Sequence, residues 1–275
     1  MSPAHPELDL RDAAATRAAI AATRPGAVFH LAAAASVDRS WREPGAVLMT
    51  NLETTVNVLE AVRLEAPDAV VVIACSGEEY GPPERLPVDE RALLRPQNPY
   101  ATSKAACDLL AGQYADGHGL HVLRLRAFNH AGPGQSDAYV VGTLTRQVAE
   151  AEAAGTPELL LHTGNPDSAR DFTDVRDVVR GYVLAAERRL EPGAYNVCSG
   201  RARSVRELVE LVAAAAHVPV RHEVDPARVR AHDVPEVRGS AARFSAATGW
   251  RPEIPMERTV ADALEAWRTA QPRRS

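Results

Sequence analysis

Long apolar runs are absent from this 275-residue chain, and none approaches the roughly 18 residues needed to span a bilayer. The first residues, MSPAHPELDLRD, lack the basic and then greasy order of a secretory signal. Charge of one sign is not concentrated anywhere either. With 31 Lys and Arg against 36 Asp and Glu the net charge is −5, and the basic residues are spread along the chain. That argues against nucleic acid or a membrane surface as a partner. Cysteine is scarce: Cys75, Cys107 and Cys198 are odd in number, far apart, and in no C-x-x-C or Cys/His metal spacing. No disulfide framework and no metal are therefore expected, but small buried hydrophobes in a reducing cytoplasm. There is no repeat and no low-complexity segment, and the length allows one large domain or two modest ones.

What is present is alternation. AVFHLAAA (27–34), AVVVIACS (69–76) and LHVLRLRAF (120–128) read as strands, with ELLLHTG (158–164) and GAYNVCSG (193–200) as weaker ones. Helical patterns occupy 11–23, 46–65, 99–115, 136–154, 174–188, 204–216 and 257–270, and Asp174 and Ser204 stand where helix N-caps belong. Near-continuous apolar strands separated by helices predict an α/β fold, a doubly wound parallel sheet covered on both faces. From about residue 215 the chain is rich in proline and irregular, which suggests loops closing over a site. Ligands of such sheets bind beyond the carboxyl ends of the strands. Attention therefore falls on AAAASVDRS, SGEEYG, FNHAGPGQ and the segment before Asp174.

In NPYATSK (98–104), Tyr100 and Lys104 stand four apart at the start of a helix, on one face. A free phenol has a pKa near 10, too high for proton exchange at neutrality, and an ammonium one turn away is expected to lower it. Such a tyrosine could exchange a proton with a substrate hydroxyl or carbonyl. Ser76, just past VVVIAC, is placed to hold that oxygen with its hydroxyl. Alone, Y-x-x-x-K also fits an ordinary amphipathic helix start. His30 and His162 lie in strand-like runs and read as core or edge histidines, and Asp174 and Asp177 as structural carboxylates at a helix start.

SGEEYG followed by NPYATSK resembles the extended short-chain dehydrogenase/reductase family of nucleotide-sugar epimerases, dehydratases and reductases. Further matching segments are HLAA, TNLETTVNVLEA, RAFNHAGPGQ, RDFTDVRDVV, YNVCSG and TGWRPEIPMERTVADALEAW. FNHAGPGQ and RDFTDVRDVV look most like the branch acting on GDP-mannose derivatives. The resemblance implies a Rossmann-like domain over 1–130 and 170–200 and a smaller substrate-binding region over 131–169 and 201–275. It implies Tyr100 as catalytic acid/base, Lys104 as its partner and a ligand of the nicotinamide ribose, Ser76 on the C4 oxygen, and Glu78 as the carboxylate that removes the C5 proton in dehydratases. It places an NAD(P) cofactor along Asp9, Leu10, Leu31, Ala32, Ala33, Asn51, Tyr100 and Lys104, with Asp9 accepting from the adenine. Asn129, Arg170 and Arg230 would hold the sugar diphosphate, although Ala231 and Ser240 depart from the pattern around Arg230. A homodimer through the helix after TNLETT and the helix carrying Tyr100 is also implied.

The sequence departs from the family at its front. No glycine precedes Gly26, so the strand, glycine-rich turn and helix that hold the cofactor pyrophosphate are missing ahead of ELDLRD. The expected consequence is an apolar strand, the one containing Val28, left as a sheet edge. The expected explanation is a start recorded too far downstream. The leading expectation for activity is an NADPH-dependent reduction of GDP-4-keto-6-deoxymannose at C4. GDP-mannose 4,6-dehydration or another nucleotide-sugar epimerisation comes next, and a non-catalytic nucleotide-sugar-binding protein is the rival of a different class.

Overall fold

The computed structural model describes residues 7–229 and 234–270. In chain order the elements are α1 (Ala13–Thr23), β1 (Ala27–His30), α2 (Val37–Arg42), α3 (Pro44–Glu65), β2 (Val70–Ser76), α4 (Pro99–His118), β3 (His121–Ala127) and β4 (Asn129–Ala131). There follow α5 (Val140–Ala154), β5 (Leu159–Thr163), β6 (Ala169–Asp174), α6 (Val175–Glu187), β7 (Gly193–Val197) and β8 (Ala202–Ser204). The last are α7 (Val205–Ala215), β9 (Val220–Val224), β10 (Glu236–Val237), α8 (Ala242–Thr248) and α9 (Met256–Ala270).

The main sheet has the order β1-β2-β3-β7 and is parallel throughout. Its strands are largely apolar on both faces because both are covered, with Arg124 and Arg126 of β3 as charged exceptions. Val71, Ile73 and Val122 pack with Leu59, Val62, Ala111 and Tyr114 of α3 and α4. Val70, Val72, Leu123 and Leu125 pack on the other side with Val178, Tyr182 and Ala185 of α6 and with Phe244 and Trp250. This is the expected doubly wound architecture. Among the described residues β1 pairs only with β2, so it is the outer strand, and Phe29 is 40% exposed on it.

Three expectations need correction. The run 158–164 does not extend the main sheet: β5 pairs with β9 in a separate two-stranded sheet. ARDFTD, unassigned from the sequence, forms β6, which pairs with β4, β8 and β10. Its charged residues are tolerated because Asp171 accepts from the Ser199, Gly200 and Gly239 amides. Lastly, LAAA of the first strand-like run is loop, since β1 ends at His30. A distinct apolar cluster, with Leu144, Val148, Leu161, Phe172, Leu208, Val212, Val260 and Leu264, ties α5, α7 and α9 together beside the main sheet.

The caps read from the sequence are in place. Asp174 accepts from the Arg176 amide, and Ser204 accepts from that of Glu207 in a reciprocal capping box. All three cysteines are buried and unpaired. No helix among the described residues is long and apolar enough to cross a membrane.

Candidate active site

Parallel register lines up the carboxyl ends of the strands: Ser76 pairs with Ala127, and Ala127 with Val197. The chain leaves β2 through a tight 3-10 turn, Gly77–Tyr80, capped by Ser76. The Ser76 hydroxyl accepts from the Glu78 amide at 3.2 Å, and the Ser76 amide donates to Glu79 Oε1 at 2.6 Å. Helix α4 starts beside this turn. Asn98 caps it, accepting from the Ala101 amide at 2.8 Å, and the same side chain donates to Glu78 Oε2 at 3.3 Å. One residue thus starts the helix and holds the carboxylate. Asn98→Ala is expected to cost about 1 kcal/mol and Asn98→Ser almost nothing, measured by urea unfolding, because serine caps as well as asparagine. Equal losses in the two variants would contradict that role.

The structure brings Tyr100, Ser76 and Glu78 together, with Lys104 one turn further along α4. The electrostatics differ from expectation. Burial raises the Tyr100 phenol above its ordinary pKa, and Tyr139, Glu79 and Glu78 add to the rise; a hydrogen bond with Ser76 opposes it. Lys104 is not among the main groups that set this value, and its ammonium donates to the Ala74 carbonyl at 2.7 Å. Lys104 is the only lysine in the chain, a buried cation among 30 arginines. His30 is also buried and bonded to Thr55 at 3.2 Å; burial and the Lys104 charge lower it to about 4, so it stays neutral at neutral pH.

On the side expected to take a cofactor, Leu31 and Ala32 are exposed and Ala33 half-buried in the loop after β1. Asn51 lies on α3 behind that loop. It is buried and spent on the protein, accepting from the Ala34 amide at 2.7 Å and donating to Ser103 at 2.8 Å and to the Ala34 carbonyl. The carbonyls of Leu10 and Arg11 are held by Asn57, six residues along α3 from Asn51, about 9 Å of helix. The Asp9 carboxylate is gripped by Arg11.

On the other side, Asn129 opens β4 and pairs with Phe172. Arg170 lies two residues before Phe172 on the same face of β6, about 6.6 Å along the strand. Its guanidinium donates to Ser168, to the Ala169 carbonyl and to the Val234 carbonyl. Arg230 lies outside the described residues. Tyr139 reaches across from the substrate side, its hydroxyl 3.4 Å from the Ala35 carbonyl in the loop after β1.

The sequence profile of GDP-mannose 4,6 dehydratase matches residues 5–263. The chain belongs to the GDP-mannose 4,6-dehydratase family. It is 38% identical over 245 residues to a GDP-6-deoxy-D-mannose reductase from Pseudomonas aeruginosa, an overlap of 88% of this chain and 80% of that one. Among solved structures, RMD from Pseudomonas aeruginosa complexed with NADPH superposes with a TM-score of 0.87 at 35% identity, over 96% of this chain and 88% of that one. UDP-glucose 4-epimerase from Thermus thermophilus, complexed with NAD, gives 0.84 at 32% identity over 96% and 85%.

In this member of the GDP-mannose 4,6-dehydratase family the residues behind the site are as unusual as those in front. Asp108 on α4 is fully buried and accepts from Arg126 Nε and Nη2 at 2.9 and 3.0 Å and from Arg124 at 2.9 Å. Arg126 also donates to the Tyr80 hydroxyl at 2.9 Å, and Tyr80 donates to Asn196 on β7 at 2.7 Å. Glu79 lies against the same guanidinium, 3.8 Å from Arg126 Nε. Sequence reading passed over this network. The signal was LRLRA, which sets arginines at alternate positions of a strand buried on both faces and therefore demands acidic partners.

Proposed function

We propose that the chain is an NAD(P)-dependent nucleotide-sugar enzyme that reduces GDP-4-keto-6-deoxymannose at C4. The observation carrying this reading is that the first turn of α4, with Tyr100, packs against the turn that leaves β2 at Ser76, in a chain 38% identical to a GDP-6-deoxy-D-mannose reductase. The residues present suit the nicotinamide and adenine ends of the cofactor: small Ala32 and Ala33 permit close approach, and Tyr100 and Lys104 lie at the adjoining helix. Bound NADPH would supply the hydride. Ser76 holds the C4 oxygen by its hydroxyl while Tyr100 gives that oxygen a proton. The high pKa of the phenol suits this direction, because it keeps the proton in place until the alkoxide forms. Lys104 would orient the nicotinamide ribose, and Asn129, Arg170 and Arg230 would bind the diphosphate, a task suited to guanidinium. Residues 131–169 and 201 onward would form the substrate-binding region.

Glu78 favours a second reading. A half-buried carboxylate held by Asn98 beside Tyr100 suits removal of a proton next to a keto group, as GDP-mannose 4,6-dehydration requires. Incubation with GDP-mannose and bound NADP separates the two. A 4-keto product means dehydratase. Turnover only of the keto sugar, with NADPH, means reductase, and turnover of neither refutes both readings. Exposed Met49 and Leu64 on α3 and Leu109 on α4 support a homodimer through those helices, and three reduced, buried cysteines suit the cytoplasm.

A further inference from the structure

Glu79 is the second glutamate of SGEEYG and looks like a surface charge in the sequence. In the fold its side chain is wholly buried. One oxygen accepts the Ser76 amide at 2.6 Å, and the other, Oε2, has no hydrogen-bond partner. Around it stand Asp108 and Lys104 from α4, Arg126 from β3 and Cys75 from β2. Cys75, Glu79 and Asp108 present their ligand atoms within 4.8 Å of one another. Arg126 already supplies the positive charge that this cluster needs, bonded to Asp108 through two nitrogens, which leaves no electrostatic demand for a metal ion.

We propose that Glu79 is a positioning residue: by gripping the Ser76 amide from behind the sheet it fixes the direction in which the Ser76 hydroxyl faces Tyr100. The inference rests on the reading of Ser76 and Tyr100 given above. Its geometry is a closed capping box. The Ser76 hydroxyl accepts from the turn and the turn's third residue holds Ser76, so neither atom of the serine can swing independently. Glu79 acts in its neutral form. Burial, and then the Asp108 charge, push it up to about 8, against the pull of Arg126, the Ser76 amide and Lys104. Once ionised, it sets a negative charge beside Tyr100 and opposes the phenolate left after proton donation. The sign for stability follows. The carboxyl ionises near 4.5 when unfolded and near 8 when folded, so its contribution is complete below pH 4.5 and is lost between about 4.5 and 8.

The test compares the wild-type chain with Glu79→Gln and Glu79→Leu in reduction of the keto sugar, with kcat and KM measured from pH 6 to 9. Glutamine keeps an acceptor for the Ser76 amide and should hold kcat within about threefold at pH 7. Leucine fills the space without an acceptor and should lower kcat about 10- to 100-fold with KM nearly unchanged, the usual effect of a misdirected catalytic group. Wild-type kcat should fall as pH rises through about 8, and that fall should vanish in Glu79→Gln. The melting temperature of Glu79→Gln relative to wild type should climb between pH 5 and 8 and level off above. Full kcat in a folded leucine variant, or an equal loss in both variants, would overturn the proposal. If the leucine chain does not fold, an unaltered alkaline limb in Glu79→Gln would do so. Absence of wild-type turnover is a separate result, overturning the reading of the site itself and this inference with it.

Discussion

Tyr100→Phe is expected to lower kcat for keto-sugar reduction by at least about 100-fold while moving KM less than threefold. The substitution removes one oxygen and leaves the ring packed where it is. Proton donation by a placed side chain contributes on the order of 10²- to 10⁴-fold, and the upper part of that range applies where water cannot substitute. The Tyr100 phenol is half-buried beside Ser76, so the lower part of that range, about 100-fold, is the expected minimum. KM is spared because binding of the nucleotide diphosphate is assigned to Asn129, Arg170 and Arg230 rather than to position 100. Steady-state kinetics with NADPH absorbance as the readout decides it. A loss under about tenfold would remove Tyr100 from the chemistry.

Asp108→Ala is expected to destabilise the fold by about 3–5 kcal/mol, read from urea unfolding. The size follows from what is left behind rather than from what is removed. Burial alone would raise the Asp108 carboxyl; Arg126 and Arg124 outweigh it and hold the pKa below the ordinary range. Without Asp108 the guanidinium of Arg126, buried against Tyr80, keeps a charge that nothing compensates except Glu79. Arg126→Leu added to Asp108→Ala should therefore recover part of the loss, since a matched apolar pair replaces a buried ion pair at little net cost. A single-variant loss below about 1 kcal/mol, or a double variant as unstable as the sum of the two, would contradict this account.

The contrast between the two effects bears on what the sequence could reveal. The doubly wound layers were legible because β2 is apolar on both faces, a pattern that only a sheet covered twice satisfies. The starts of α6 and α7 were legible from Asp174 and Ser204. Strand β6 was not, because Arg170, Asp171 and Asp174 make ARDFTD look like a solvated loop until the amides of Ser199, Gly200 and Gly239 are seen to receive Asp171. Within the site, spacing correctly placed Tyr100 and Lys104 one turn apart but could not say where the ammonium points, and the Ala74 carbonyl takes it. Nor could the pattern over 46–65 say where the Asn51 amide points, and Ala34 and Ser103 take it. Glu79 and Asp108 were invisible because periodicity reports which face a residue occupies only when its neighbours agree, and two adjacent glutamates occupy different faces of a 3-10 turn.

Strand β1 carries a consequence of its own. One row of its backbone groups is joined to β2, and the other faces outward beside exposed Phe29, with Val179 and Val183 of α6 uncovered as well. Such a margin is adhesive in a way that no side-chain chemistry governs, since any extended apolar peptide can dock its amides there.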